Sequence, residues 1–282
     1  MPRRWVAAVA CLFGLVALAC ESGGTAGPKP SDGPPARGTP TVMAALGDSI
    51  TAGFGSCLML SSCERNSWST GDGLRVESHY QRLVDRNPKL RGKAHNHAVP
   101  GARATALAGQ AEAAVRDRAD YVTVLIGAND VCRDNVDAMT PVATFRSQVD
   151  QGLRVMRKGL PKARVLVVSI PDLYRLWEVG HTEPRAVRVW RHGICPALLA
   201  DATSTAPADV ARRARVRERI DAYNAQLKAA CRAYGSRCRH DGGAVHRVRF
   251  TLDLVNALDW FHPNVAGQGR LADATWRAAG FD

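Results

Sequence analysis

Acidic residues are scarce in this sequence: 26 Asp and Glu stand against 38 Lys and Arg, and the formal net charge is +12. Two explanations remain open for this excess. One is the Arg-rich and Ala-rich composition that GC-rich genomes produce, and the other is attraction to an anionic lipid or wall polymer. The chain also lacks a recognisable nucleic-acid-binding motif, so we do not expect nucleic acid as a partner.

Internal repeats and a complete phosphate-binding loop are also missing. The segment GFGSC (53–57) superficially resembles such a loop, but the lysine and the later glycines that cradle phosphate are absent. What is present is ordinary for a soluble globular protein, with 46% hydrophobic and 23% charged residues. The length suits one large domain with its own core.

The first residues predict an export signal. Arg3 and Arg4 precede a short apolar run that ends in small residues, and this run is too short for a comfortable membrane span. We therefore expect a signal peptide over 1–19. Cleavage would leave Cys20 first, as in the lipobox of bacterial lipoproteins, where this sulfur carries a lipid; plain secretion after the same cut is the alternative. Residues 20–40 are rich in Gly and Pro and predict a disordered tether before a domain over 41–282.

Six of the eight cysteines remain in the globular part once the signal and Cys20 are set aside. An even number suits disulfide bonds outside the cell, although many pairings are open. The simplest pairing follows chain order: Cys57–Cys63, Cys132–Cys195 and Cys231–Cys238. The alternative is a zinc site that combines the last pair with His240 and His246. Its spacing matches no common zinc pattern, so we favour the disulfides.

Strands and helices alternate from Thr41 onward. The apolar pattern predicts strands over 42–47, 121–130, 163–172 and 246–254, and a short strand within 93–101. It predicts helices over 105–118, 142–160, 209–235 and 264–280. Most of the strands are runs of Val, Leu and Ile without polar alternation, which indicates strands that are buried on both faces. We therefore expect an α/β protein with a parallel sheet between helices.

Three predicted strands end on polar groups, at Ser49, Asn129 and Asp172. Functional groups gather at the carboxyl ends of parallel strands, so these positions are candidates for a site. Ser49 has two interpretations. It either caps a following helix or is a nucleophile at a strand-to-helix turn, where the helix N-terminus favours negative charge.

A serine nucleophile needs a base, and His262 is the candidate because Asp259 precedes it by three residues in LDWFHPN. A carboxylate at this spacing can fix the imidazole tautomer. The alternative is a surface loop in which Asp259 caps the next helix and His262 is incidental. His95 and His97 alternate along a predicted strand, as metal ligands would, but no acidic residue lies near them in the sequence.

Four blocks in order resemble those of the GDSL/SGNH serine hydrolases: ALGDSITAG (45–53), NHAVPGARA (96–104), LIGANDVC (125–132) and DWFHPN (259–264). The resemblance implies a three-layer α/β/α sandwich with a mainly parallel central sheet. It also implies that Ser49 is the nucleophile, that His262 is the base and that Asp259 orients the base. No metal or cofactor is expected.

The same resemblance implies an oxyanion hole. Its donors would be the backbone N–H groups of Ser49 and Gly101 and the side-chain amide of Asn129. The segments NSWSTGDG, VSIPDLYRLWEV and ICP are similar to the phospholipase B type within the family. The departures are Ala128, where glycine is common, and the compact loop SCLMLSSC.

These features predict an exported serine ester hydrolase that cleaves carboxylic esters of lipids through an acyl-enzyme on Ser49. Such a protein would be secreted or anchored outside the cell as a lipoprotein, associate with membrane surfaces and act as a monomer. The alternatives are a carbohydrate O-acetylesterase of wall or plant polysaccharide and a surface lipoprotein without catalysis. Five retained site residues argue against the last of these.

Two further segments each have two interpretations. Leu58, Met59 and Leu60 come soon after Ser49 and either border an acyl groove or form a small oxidised surface turn. Residues 173–207, with Trp177 and Trp190, either form a wall over the site or contribute simple packing.

Overall fold

The computed structural model describes residues 38–57 and 59–281. The predicted signal peptide, Cys20, most of the predicted tether and Leu58 lie outside this part of the chain. Among the helices of the described part, none combines the length and the apolar character that crossing a membrane requires.

A central sheet organises the domain. Its five strands are all parallel and lie in the order β2-β1-β3-β4-β5. They are β1 (Met43–Gly47), β2 (Ala94–Asn96), β3 (Tyr121–Leu125), β4 (Arg164–Val167) and β5 (Cys238–His240). Every residue of β1 and β3 is buried, as expected for apolar strands that are covered on both faces. The predicted α/β fold with a mainly parallel sheet is confirmed.

Helices cover the sheet. They are α1 (His79–Arg86), α2 (Leu107–Arg116), α3 (Ala128–Val131), α4 (Val142–Gly159), α5 (Leu173–Gly180), α6 (Pro184–Trp190), α7 (Pro196–Leu199), α8 (Pro207–Tyr234) and α9 (Val265–Ala279). In one layer α2 packs against α4 and α4 against α8, where the rings of Phe145 and Tyr223 stack 4.1 Å apart. The apolar stripe of α4, which includes Phe145, Val149, Leu153 and Met156, is buried.

The opposite layer, formed by α1 and α9, is joined to the sheet through polar contacts. The ring of His79 lies 2.8 Å from the hydroxyl of Tyr121 through Nδ1 and 2.8 Å from the hydroxyl of Thr275 through Nε2. Burial lowers the pKa of His79 to about 3, so this ring is neutral and can serve as donor and acceptor at once. One imidazole therefore connects α1, α9 and β3 without a buried charge.

The fifth strand differs from the sequence-based prediction. The segment 246–254 is not a strand; it consists of turns and the 3₁₀ helix Leu252–Leu254, whereas β5 comes earlier, at Cys238–His240. Gly242 and Gly243 both have positive φ, which turns the chain out of the sheet directly after β5. The carboxylate of Asp241 fixes this turn by accepting from the N–H groups of Gly243 and Val245, each at 2.9 Å.

Three disulfide bonds are present in the described residues: Cys57–Cys63, Cys132–Cys195 and Cys231–Cys238. Because Cys231 and Cys238 are bonded to each other, neither offers a thiolate to a metal. The zinc alternative with His240 and His246 is therefore wrong.

Candidate active site

Ser49 follows β1 on a tight turn. Gly47, at the end of the strand, has φ +152°, and a Cβ atom there would lie 2.2 Å from the carbonyl oxygen of Leu125 in β3. Only glycine fits this close approach of two strands. After it, Ala52 N–H donates to the Asp48 carbonyl at 3.0 Å and Phe54 N–H to the Ser49 carbonyl at 2.9 Å. The turn presents Ser49 at the carboxyl end of the sheet.

The helix that was expected behind Ser49 is absent. Residues 48–57 form successive turns and bends. Gly53 and Gly55 have φ +65° and +73°, a left-handed conformation that interrupts any helix after one turn. The prediction that a helix N-terminus favours negative charge at Ser49 is therefore wrong, and so is the interpretation of Ser49 as a helix cap.

His262 contacts Ser49 directly. Its Nε2 atom lies 2.9 Å from the Ser49 Oγ atom, and its Nδ1 atom lies 2.7 Å from Oδ2 of Asp259. The carboxylate accepts a hydrogen bond from Nδ1–H, which leaves Nε2 to accept a hydrogen bond from the Ser49 hydroxyl. Oδ1 of Asp259 also accepts from the N–H groups of Phe261 and His262, at 2.9 and 3.1 Å. One buried carboxylate thus fixes both the ring and the loop that carries it.

The loop that carries Asp259 and His262 depends on a strained residue and a distant tryptophan. Trp260 adopts φ +53°, which a bulky side chain rarely does. Its N–H donates to the Asn256 carbonyl at 2.7 Å, and its carbonyl accepts from the indole N–H of Trp190 at 3.1 Å. Trp190, at the end of α6, is 2% exposed. The sequence left two roles open for Trp190, simple packing or a wall over the site; the side chain packs, and it also supports the loop of Asp259 and His262.

Two backbone N–H groups near Ser49 have no protein acceptor. Within the described residues, neither Ser49 N–H nor Gly101 N–H donates to another residue. Gly101 lies on a turn at φ +81°, closed by a bond of 2.9 Å from Ala102 N–H to the Val99 carbonyl. The Asn129 amide, at the start of α3, donates to the Ala102 carbonyl at 3.0 Å. The turn that carries Gly101 is therefore in contact with the side chain of Asn129.

Two buried carboxyl groups flank these residues, and sequence analysis missed both. Asp130 accepts from Ala104 N–H at 2.9 Å and from the Thr140 hydroxyl at 2.8 Å, so it ties α3 to the segment after Gly101. Burial raises its pKa. Asp48 and Asp130 are the chain neighbours of Ser49 and Asn129, so their positions near the site could have been inferred from the sequence. Their burial could not.

Asp48 is fully buried. Its Oδ1 accepts from Ile50 N–H at 3.0 Å, whereas its Oδ2 has no hydrogen-bond partner. Burial raises the pKa of Asp48 to about 7, against the opposing effect of the Ile50 N–H group and with a smaller contribution from the charge of Asp130. A carboxyl group that holds its proton up to neutral pH is therefore the chain neighbour of Ser49.

An apolar cavity adjoins His262. It is small, with a volume of about 30 Å³, and its lining combines the loop of Asp259 and His262, α5 and residues on either side of the 3₁₀ helix. The apolar lining side chains include Ile50, Leu173, Leu176, Phe250, Val255 and Phe261. The helix α5 therefore supplies one wall, as one interpretation of residues 173–207 predicted. Met59 and Leu60 do not line this cavity, and their place at an acyl groove or on a small oxidised surface turn stays a prediction.

His95 and His97 have an acidic partner that the sequence did not reveal. The Nε2 atom of His97 bonds the carboxylate of Asp117, and the Nδ1 atom of His95 lies 3.9 Å from the same oxygen. Across the described residues, no group of three or more His, Cys, Asp or Glu is arranged to hold a metal ion.

Comparisons with known proteins agree with this geometry. A family model described as GDSL-like Lipase/Acylhydrolase matches residues 45–270. A rat protein, "Phospholipase B1, membrane-associated", is 27% identical over 285 residues, which is 84% of this chain and 19% of the relative. The human protein of the same name is 30% identical over 166 residues, 49% of this chain and 11% of the relative. The chain thus spans a small part of the length of these relatives.

Solved structures share the fold. A GDSL-like lipase from Parabacteroides merdae covers 86% of this chain and 96% of its own, with a TM-score of 0.53 and 18% identity. A catalytic mutant of an acetylxylan esterase from Geobacillus stearothermophilus covers 85% of this chain and 94% of its own, with a TM-score of 0.52 and 18% identity.

Proposed function

Because the chain belongs to the GDSL-like lipase/acylhydrolase family and is thereby a carboxylic ester hydrolase, we propose that it acts on the carboxylic esters of lipids through an acyl-enzyme on Ser49. The observation that carries the proposal is the 2.9 Å contact between the Ser49 hydroxyl and the His262 ring. A serine hydroxyl is a weak nucleophile at neutral pH, and a hydrogen-bonded imidazole is the group that activates it.

The reaction runs in two half-reactions. In the first, Ser49 Oγ attacks the ester carbonyl carbon while His262 Nε2 takes its proton, and Asp259 stabilises the imidazolium that forms. The oxyanion is bound by the N–H groups of Ser49 and Gly101 and by the amide of Asn129. The alcohol then leaves with the proton from His262, and the acyl group stays on Ser49.

In the second half-reaction water replaces the alcohol. His262 removes a proton from the water, the hydroxide attacks the acyl carbon, and the same three donors bind the second oxyanion. The carboxylic acid leaves and Ser49 regains its proton. No step needs a metal ion or an organic cofactor.

Lipid esters are favoured over other esters because the cavity beside His262 has an apolar lining, which suits a hydrocarbon chain rather than a sugar. Ile50 and Phe261, which directly follow Ser49 and directly precede His262, both lie in that lining. An acyl chain would therefore meet this apolar lining directly beside the reacting atoms, and the cavity, at about 30 Å³, would hold only the first carbons of the chain. The named phospholipase relatives support the same substrate class.

The disulfides indicate an extracellular or secreted protein, since such bonds persist in oxidising compartments. We extend the proposal to export through the signal over 1–19, with lipidation at Cys20 as the anchored form and with the monomer as the active species. Mass spectrometry of the mature protein would distinguish a lipid on Cys20 from plain secretion.

The test is a comparison of phosphatidylcholine, triglyceride and acetylated xylan as substrates, together with nitrophenyl esters of increasing chain length. Ser49→Ala should be folded, inert and unlabelled by a fluorophosphonate probe, whereas Ser61→Ala, an exposed serine in the following loop, should match the parent. Near-parental turnover in Ser49→Ala would end the proposal. A sharp preference for acetate and acetylated xylan would favour the carbohydrate O-acetylesterase instead.

A further inference from the structure

Exposed apolar side chains are concentrated on one part of the surface. Across the described residues six large apolar side chains are exposed, and four of them come from three neighbouring segments. Their exposed fractions are 66% for Met59, 49% for Leu60, 97% for Leu74 and 52% for Leu258. We call these four residues the apolar rim. Such a concentration on a protein surface marks an interaction site more often than single exposed residues do.

The members of the apolar rim lie on segments that line one wide groove. Met59 lines this groove directly, and the other three members each adjoin a lining residue in the chain, namely Ser61, Arg75 and Ala257. The groove is therefore bordered by the disulfide-closed loop of Cys57–Cys63, by the segment at Leu74 and by the segment before Asp259.

The groove is continuous with the catalytic loop. Gly55 N–H donates to the Ser61 carbonyl at 3.1 Å, and the Asn256 side chain donates to the Gly55 carbonyl. Asn256 N–H in turn donates to the His262 carbonyl at 2.8 Å. Val255 lines both the groove and the apolar cavity beside His262. A molecule in contact with the apolar rim would thus lie next to the entrance of the proposed acyl cavity.

The charge pattern points to a lipid surface as the occupant. Residues 53–62 and 254–258 contain no charged side chain, so these two segments bring no charge into the headgroup region. The segment at Leu74 carries Asp72 and Arg75, and Arg75 lines the groove, where its cation suits an anionic headgroup. The net charge of +12 attracts the chain to anionic lipid and opposes the approach of a second copy.

We propose that the apolar rim is a lipid-contact surface that seats the catalytic loop on a bilayer containing anionic phospholipid. Met59, Leu60 and Leu74 enter the interface while basic side chains elsewhere on the domain supply long-range attraction. The inference rests on the proposed function for its substrate class, but it concerns binding and not the chemical step.

The test measures binding in the Ser49→Ala background, so that no lipid is consumed. Vesicles contain phosphatidylcholine alone or with an equal amount of phosphatidylglycerol, and binding is followed by flotation. Met59→Ser/Leu60→Ser should weaken binding to the mixed vesicles by about tenfold or more, because two apolar side chains no longer enter the interface. Leu74→Ser should weaken binding on its own, and its 97% exposure means that it leaves the fold unchanged.

The matched control is Val210→Ser, which removes an apolar side chain of 50% exposure from α8 and should bind vesicles like the parent. With Ser49 intact, Met59→Ser/Leu60→Ser should hydrolyse a soluble short-chain nitrophenyl ester at the parental rate. Equal vesicle binding by the rim variants and Val210→Ser would overturn the inference. The inference would also be overturned if the protein formed a dimer without lipid and the rim variants were monomers, because a second copy would then occupy the rim.

The two proposals fail in different ways. Vesicle binding that depends on the apolar rim, without ester cleavage by the protein with Ser49 intact, contradicts the proposed function alone. Ester cleavage without any rim-dependent binding contradicts this inference alone.

Discussion

The Nε2 atom of His262 lies 2.9 Å from the Oγ atom of Ser49, although 213 residues separate them in the chain. The contact exists because β1 ends at the carboxyl edge of the sheet and the loop before α9 returns to that edge. Ser49 and Asp259 are both buried, at 6% and 4% exposure, so the three polar groups interact where water screens them little.

Replacing Asp259 by Asn should leave the loop in place but remove the negative charge that selects the imidazole tautomer. From the behaviour of such triads, we expect kcat for an ester substrate to fall about 10⁴-fold. Asp253→Asn, an exposed carboxylate a few residues earlier, is the control and should keep parental kcat. A loss of less than about tenfold in Asp259→Asn would mean that Asp259 does not orient the base.

Asn129→Ala tests the proposed oxyanion hole. The amide would act on the charge that develops in the transition state, so kcat should fall about 10²- to 10³-fold while KM changes little. Asn135→Ala, an exposed residue in the same loop region, should change neither constant. If Asn129→Ala instead raised KM at constant kcat, the side chain would bind substrate without stabilising the transition state.

Asp48 should make the stability of the protein depend on pH. Its pKa is about 7 in the folded protein and 3.8 for an ordinary Asp, so the folded state binds the proton more tightly. The free energy of unfolding therefore falls as the pH rises from about 4 to about 7, and it stays lower above that range. Asp48→Asn is neutral and keeps an acceptor for Ile50 N–H.

The free energy of unfolding of Asp48→Asn, relative to that of the parent, should therefore increase across this pH range. The increase is at most about 1.4 kcal/mol per pH unit. Urea denaturation at about pH 5 and about pH 8 measures the difference. Asp253→Asn removes an exposed carboxyl and keeps Asp48, so its stability relative to the parent should stay constant across this range. Parallel pH profiles for the parent and Asp48→Asn would contradict the prediction.

The disulfide bonds should contribute unequally to stability. Cys132–Cys195 closes a separation of 63 residues and Cys231–Cys238 a separation of 7. On the chain-entropy account, Cys132→Ser/Cys195→Ser should lose about 4 kcal/mol and Cys231→Ser/Cys238→Ser about 2 kcal/mol. Urea denaturation of the two double variants tests this difference, and equal losses would show that native-state strain outweighs loop length.

Sequence patterns predicted the elements that depend on local chemistry. Apolar runs such as 121–125 indicate doubly covered strands, and the spacing of Asp259 and His262 places a carboxylate within reach of the ring. The fifth strand was assigned wrongly because Cys238–His240 is short and has no apolar pattern, whereas apolar and polar residues alternate over 246–254 as they do in a strand. Only the backbone of Gly242 and Gly243 reveals why the chain leaves the sheet.

Contacts between distant segments were beyond sequence reasoning. The indole of Trp190 supports the carbonyl of Trp260 across 70 residues, and neither periodicity nor a motif encodes such a bond. The same holds for Asp48. Its pKa is raised because the folded chain buries it fully, and the sequence does not show that burial.

The order of the site residues along the chain has a consequence for biosynthesis. A polypeptide emerging from the ribosome presents Ser49, Gly101 and Asn129 long before position 262 has been added. A product cut short before that position lacks the imidazole that contacts the Ser49 hydroxyl in the folded domain. The contact between serine and histidine can therefore form only when nearly the whole domain has been synthesised.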